Sequence, residues 1–419
     1  MIGTAAPELI EVTRFAEVAE ALRHPKLAVT LDERSVPVRG GTVLRIDGEA
    51  HTKRRRLFNR LVFRGGHQRL RADVLRPAID RELAAARARA SADGRGRLDV
   101  VAFCYRVLTE LVATMIGLDR AQMRTDIEEL FRLQAELDAF PRFKTQLLGA
   151  APLDTDGEAR VEEALARLRV AKDAFSDRWV RPALAARREL MRRHQAGEIG
   201  DDEMPSDLLT MVAAHADPAF EADPDLPVRH AVIDFLHAGT GTSVGAVAHT
   251  ANELERWWRD HPVDRERRTD AAFLSAAVYE TLRLHAANPA EIRRATEDVT
   301  LSAGTRIPAG RFAALRTGMA HRDRDAWGPN AEAFDPRRVP PPGAAGYGLA
   351  FGAGAHMCYG LPLAVGDDGV DGNIVLLLRS LYEAGMERDP DDAPVYRPGV
   401  AHADLRNFER YPVLIRATA

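Results

Sequence analysis

The sequence predicts a mainly α protein with small β-sheets, and three observations carry that reading. Apolar residues recur with a period near 3.6 through most of the first three hundred positions, strand-like pieces are short and fall in two places, and no long linker divides the chain. The helical period is clear over 79–90, 101–116, 160–194 and 273–284. Breakers mark the joints, at 64–66, at 91–96, at 222–227 and at Pro340-Pro341-Pro342-Gly343. The first strand-like region runs over 298–307 into the turn Pro308-Ala309-Gly310. The second covers 411–415, where Pro412 suits a strand start or edge. With neither repeats nor low-complexity segments, 1–419 is predicted to be a single domain.

Composition narrows the class. The 419 residues are 46% hydrophobic and 29% charged with a formal net charge of −4, enough apolar material for a large core in a soluble chain. The longest apolar stretch, 231–251, is interrupted by Asp234, His237 and His249, and residues 1–4 carry neither a basic nor an apolar leader. A membrane span and secretion are therefore not expected, and a cytoplasmic location is. Of the 58 basic residues only Lys26, Lys53, Lys144 and Lys172 are lysines, a genomic bias toward arginine rather than a sign of nucleic-acid binding. Two cysteines, Cys104 and Cys358, cannot build a disulfide scaffold or a four-thiolate metal site.

The most informative stretch is Ala350-Phe351-Gly352-Ala353-Gly354-Ala355-His356-Met357-Cys358-Tyr359-Gly360, followed by an apolar helix pattern. Glycines at this density let backbone pass close to a bulky planar object. Amide N–H groups and a following helix N-terminus both favour thiolate over thiol. A thiolate so held suits iron; an inert cysteine in a Gly-rich turn is the plainer alternative. Zinc on His356 and Cys358 fails for want of further ligands nearby.

This segment resembles the haem-binding signature of the cytochrome P450 superfamily. Glu280-Thr281-Leu282-Arg283 is similar to that family's Glu-x-x-Arg helix, and Phe334-Asp335-Pro336-Arg337-Arg338 to the later segment whose last arginine joins the pair. Asp47-Gly48-Glu49-Ala50-His51-Thr52-Lys53-Arg54-Arg55 is similar to the early helix that holds haem propionates, and Ala238-Gly239-Thr240-Gly241-Thr242 to the central helix beside the oxygen site. The resemblance runs from about Val12 to the C-terminus. It implies haem b with Cys358 as axial thiolate, a cofactor site of Phe351, Gly352, Cys358 and Gly360, and propionate contacts from His51, Arg55, Arg293 and His356. Glu280, Arg283 and Arg338 become a structural ion network. Leu236, Ala238, Asn288, Pro289, Ala290 and Ile292 become substrate contacts, small or apolar enough for an apolar small molecule. Asp323 reads as an ordinary loop acid.

Three departures from the family pattern stand out. Gly241 occupies the place of the acid that usually precedes the threonine matched by Thr242, which leaves proton delivery without its usual donor; Ser243 or Thr240 are the nearby hydroxyls that would fill in. The N-terminal elements look shortened by some 40 residues on spacing. After Gly360, the run Gly366-Asp367-Asp368-Gly369 is poor helix sequence. The implied function is a monooxygenase of the soluble bacterial class that hydroxylates or epoxidises its substrate, placed in secondary metabolism. It would take electrons from a separate ferredoxin and ferredoxin reductase, since no flavin or iron–sulfur segment is recognised, with the basic run 53–56 as a docking face. Peroxide-driven oxidation, oxidative coupling or rearrangement is the alternative raised by Gly241, and a non-catalytic haem- or substrate-binding protein is the alternative outside enzymes.

Overall fold

The computed structural model of the chain describes residues 9–30, 33–62, 66–91, 94–130, 155–366, 372–397 and 407–417. They gather into two compact units. One is formed by 1–9, 28–70 and 108–240, the other by 10–27, 71–107 and 241–419. The 64–65 breaker and residues 367–369 of the Gly-Asp-Asp-Gly run lie outside the described residues.

In the first unit the Gly48–Val62 helix buries His51, Arg54, Leu57, Phe58, Leu61 and Val62 on one side. That stripe follows the i, i+3, i+4 rule, so Lys53, Arg56 and Arg60 are left to solvent. The long period over 160–194 is realised as the Thr155–Phe175 helix, a π-helical turn at Ser176–Val180 and the Arg181–Gln195 helix. Pro182 explains the turn: its nitrogen has no hydrogen for the carbonyl four residues back, and its ring crowds that carbonyl. The same arrangement recurs in the second unit, where a π turn at Arg71–Leu75 precedes Pro77 in the Arg76–Ala88 helix. Close packing in the first unit depends on Gly239, since a Cβ there would stand 2.9 Å from a Val112 methyl.

The second unit carries the sheets. Strand Phe312–Leu315 pairs in parallel with Ile10–Val12 and antiparallel with Glu291–Ala295, placing Ile10 opposite Ala313 and Arg293 opposite the same residue from the other side. Val12, Val18, Leu22, Ile307, Ala313, Leu315 and Leu349 are among the residues that fill the core on it. The 298–307 region is a hairpin with Val299 opposite Ile307. The C-terminal strand Pro412–Arg416 lies between Arg95–Asp99 and Glu387–Arg388. Mainly helical structure with small sheets is thus what the chain forms, and no helix among the described residues is long and apolar enough to cross a membrane.

Candidate active site

The cysteine loop is built in the second unit from its anchors inward. Tyr279 packs edge-on against Tyr347 at 5.3 Å, and Tyr347 against Phe351 at 5.0 Å. His321, wholly buried, accepts the Leu349 N–H at its Nε2 at 2.7 Å. Burial holds its imidazole down to a pKa of about 3, so it is neutral and able to accept. Beyond this anchor Gly352 and Gly354 both take φ +70°. The second is sterically required, because a Cβ on Gly354 would stand 3.0 Å from the Arg23 backbone. The loop closes where the Cys358 N–H donates to the Phe351 carbonyl at 2.8 Å. Cys358 is left exposed while Cys104 is wholly buried, and burial pushes the Cys104 thiol far up.

Behind the cysteine, the Leu361–Val365 helix is one turn long and stops at Gly366, whose φ is +83°. Buried Arg71 pins it, donating to the Pro362 carbonyl at 3.0 Å and to the Asn373 side chain at 3.1 Å. Below lies the Glu280 cluster. Arg283 forks onto Glu280 with two 2.7 Å bonds and also donates to the carbonyls of His321 and Ala331, while Arg338 adds a 2.8 Å bond to the same carboxylate. Glu280 and Arg283 are buried to 3% and 0% exposure, so this is an interior network and not a surface pair. Asp323 is more than a loop acid: it caps the Arg324–Trp327 turn and accepts the Phe15 N–H at 2.9 Å.

The remaining second-unit candidates lie at its strands and on the Ala238–Asp260 helix. Arg293 is buried and donates to Glu291 and to the Ile292 carbonyl, both at 3.1 Å. His356 is half-buried. Asn288 is exposed, its carbonyl accepting from Thr317 and its amide donating to Glu291. Pro289 and Ala290 are half-buried and Ile292 is buried in the sheet. On the helix, Gly241 is half-buried, Thr242 exposed and Ser243 buried.

In the first unit His51 is buried and Arg55 half-buried, one turn apart on the Gly48–Val62 helix. Leu236 is buried and Ala238 half-buried. Thr240 is committed elsewhere, its hydroxyl donating back to the Leu236 carbonyl at 2.7 Å. The basic run 53–56 is corrected by burial. Arg54 points inward, donating to Asp217 at 2.6 Å and to Nε2 of His230 at 2.6 Å. His230 in turn donates from Nδ1 to Asp234 at 2.5 Å, which also receives the Val43 N–H. Nothing in the spacing of the run distinguished Arg54 from its neighbours except its place on the apolar stripe beside Phe58.

Comparisons with known proteins agree with this arrangement. The cytochrome P450 family profile matches residues 246–365. The chain is 28% identical over 318 residues to the C-19 steroid 1alpha-hydroxylase of Sorangium cellulosum, covering 75% of this chain and 74% of that protein. It is 29% identical over 181 residues to the bifunctional cytochrome P450/NADPH–P450 reductase 2 of Bacillus subtilis, covering 39% of this chain and 17% of that protein. Other curated relatives are likewise matched over part of their length, one of them over 55%. In structure the chain is similar to P450BioI in complex with hexadec-9Z-enoic acid ligated acyl carrier protein, with a TM-score of 0.68 at 18% identity, over 96% of this chain and 91% of that one. That likeness speaks for the fold, and the sequence matches speak for descent. With the Phe351 to Gly360 loop and the Glu280–Arg283–Arg338 cluster in hand, residues 246–365 match the cytochrome P450 family, and the likeness to a P450 fold extends over nearly all of the chain.

Proposed function

We propose that the protein is a haem-thiolate monooxygenase that inserts one atom of O2 into an apolar small molecule, by hydroxylation or epoxidation, in secondary metabolite biosynthesis. One observation carries the reading: of two cysteines, the exposed one ends a glycine loop fixed at Leu349 and Phe351, and the other is sealed in a core. An accessible thiolate at the end of a rigid loop fits an iron ligand. At Gly360 a Cβ would come only to ordinary contact distance, 3.6 Å, of the Cys358 sulfur. Haem b, when bound, supplies the oxygen activation. Phe351, Gly352 and Gly360 shape the loop around the sulfur. Arg293 and His356, with His51 and Arg55 one helical turn apart, would hold the propionates by charge-assisted bonds.

Glu280, Arg283 and Arg338 act on the scaffold beneath the loop. Ala238, Pro289 and Ala290 are the substrate candidates that stay partly accessible, whereas Leu236 and Ile292 are packed and Asn288 is tied to Thr317 and Glu291. The small, apolar character of the accessible three suits an apolar substrate, in keeping with the steroid hydroxylase named among the relatives. Electrons would come from a separate ferredoxin and its reductase in the cytoplasm. A second reading, peroxide-driven oxidation, is favoured by Gly241 standing where an acid is usual.

The test is spectroscopic. The ferrous carbon monoxide complex should show the strongly red-shifted band of thiolate ligation, keep it in Cys104→Ser and lose it in Cys358→Ala. Loss in Cys104→Ser with the fold retained overturns the assignment. Screening apolar ligands for a low-to-high spin shift of the ferric protein then reports substrate class directly.

A further inference from the structure

Three residues of the Ala238–Asp260 helix, Thr242, His249 and Glu253, are spaced seven and four apart, so they fall within about 40° of one another on its surface. Between the first two the stripe carries no bulk. Ala246 is small, and at Gly245 a Cβ would stand 2.8 Å from Oδ1 of Asn407, so the Asn407 carboxamide lies against the helix where a side chain would otherwise be. At the next level His249 stacks on His285, ring centroids 4.4 Å apart and planes 8° from parallel. Phe408 covers the same ring at 5.0 Å. Nε2 of His285 reaches Glu253 at 3.1 Å, and because a carboxylate accepts, that nitrogen carries the proton. Arg256, mostly exposed, lies 3.7 Å from the same carboxylate, and His285 beside it is half-buried. The column thus runs from a carboxylate 8% exposed, through two imidazoles, one of them 6% exposed, to a carboxamide and a hydroxyl.

We propose that Glu253, His285 and His249 form a proton-entry relay along this helix, continued past Asn407 to the Thr242 hydroxyl. It supplies the protons for which the chain has no acid at Gly241, and it rests on the haem-thiolate reading above. A proton from solvent enters at Nδ1 of His285, the nitrogen not bonded to Glu253, and the Glu253 carboxylate at Nε2 stabilises the imidazolium so formed. Parallel rings do not hydrogen-bond to each other, so a water on their common edge hands the proton to His249, and a second water beside the Asn407 carboxamide hands it to Thr242. Each imidazole gives one proton and regains one. Nothing is oxidised or reduced along the way. Histidines suit the task because they exchange protons near neutral pH.

The experiment uses the holoprotein with a surrogate ferredoxin and its reductase, NADPH and oxygen, without added substrate. Reducing O2 to hydrogen peroxide takes two electrons and two protons, and reducing it to two waters takes four of each. The peroxide-to-water ratio therefore reports proton supply. Loss of general acid assistance is worth on the order of 10²-fold, so His249→Phe, which keeps the ring stack, and Glu253→Gln, which keeps a hydrogen bond to His285, should raise that ratio by this order. The second readout needs no turnover: with 15N-labelled histidine, Glu253→Gln should move the imidazole resonances of both His285 and His249. An unchanged ratio, or a resonance shift confined to His285, overturns the relay while the thiolate band of the carbon monoxide complex stays in place. A wild type without that band overturns the haem-thiolate reading and the relay with it.

Discussion

Nε2 of His321 accepts the Leu349 N–H at 2.7 Å, nine residues ahead of Cys358. Gly348, at φ +58°, brings its Cα toward the same nitrogen, and a Cβ there would clash at 2.7 Å. The bond exists only while the ring is neutral, since a protonated imidazole has no lone pair at Nε2. Its folded pKa of about 3 lies below the unfolded value of 6.5. Between these the unfolded chain binds the extra proton, so the contribution is whole above pH 6.5 and shrinks as pH falls toward 3. At pH 5 the loss is about 2 kcal/mol from this ring alone. Burial lowers His230 in the same direction. The expected result is a urea midpoint that falls between pH 7 and 5, with a shallower fall in His321→Gln, whose amide oxygen can still accept from Leu349. Equal slopes in the two proteins would show that this ring is not the cause.

Glu280 balances two buried guanidiniums, so Glu280→Gln should leave Arg283 and Arg338 without their charge partner at a cost of about 3–5 kcal/mol. By contrast Glu332 faces Arg324 at 3.6 Å with both side chains about two-thirds exposed. Glu332→Gln should change stability by less than about 0.5 kcal/mol. Thermal unfolding of the two variants checks this, and similar shifts would mean that the Glu280 cluster is solvated in solution.

The reach of the sequence can be judged at particular residues. Glu280 and Arg283 were legible as a pair because i, i+3 spacing puts both on one helix face, but their burial depends on Ala331, Ala333 and Arg338, some fifty residues on. The 3.6 period placed the helices, yet could not show that Pro77 and Pro182 would be accommodated by π turns without ending them. Strand ends came from Pro412 and the Pro308–Gly310 turn, which are local signals. His321 and Arg71 carried no local signal, because the backbone groups they hold, at Leu349 and Pro362, are distant in sequence. The His249 and Glu253 stripe was readable by counting from Thr242; its partner His285, on another helix end, was not.

Burial divides the basic run 53–56. Arg54 is 4% exposed and paired with Asp217 and His230, whereas Arg56 is exposed. Arg54→Glu should place like charges against Asp217 and destabilise the fold by several kcal/mol, about the cost of breaking a buried pair. Arg56→Glu should leave unfolding unchanged. If the exposed residues of this helix steer an acidic ferredoxin, Arg56→Glu should also slow reduction at low salt and flatten its salt dependence. Stopped-flow reduction across ionic strengths decides it, and an unaltered salt slope removes this helix from the docking face.

Gly241 gives a prediction that joins the missing acid to the polar stripe behind Thr242. Thr240 cannot substitute, because its hydroxyl is bonded to the Leu236 carbonyl, and Ser243 is buried. If protons arrive past His249, an acid at 241 adds little to the wild type, whose supply is already in place. In the His249→Phe protein it should matter, since a carboxyl next to Thr242 offers a second donor for the same hydroxyl. Gly241→Asp is therefore expected to return the peroxide-to-water ratio of His249→Phe most of the way to that of wild type, while shifting the wild-type ratio little. The opposing account is steric, with Gly241 keeping the helix surface open for a bulky ligand. On that account Gly241→Asp leaves the His249→Phe ratio where it was and instead weakens the spin-state shift caused by apolar ligands. Measuring both quantities on the same two variants separates a proton donor from a space requirement, because the first changes the fate of oxygen without a ligand present and the second changes ligand affinity without altering that fate.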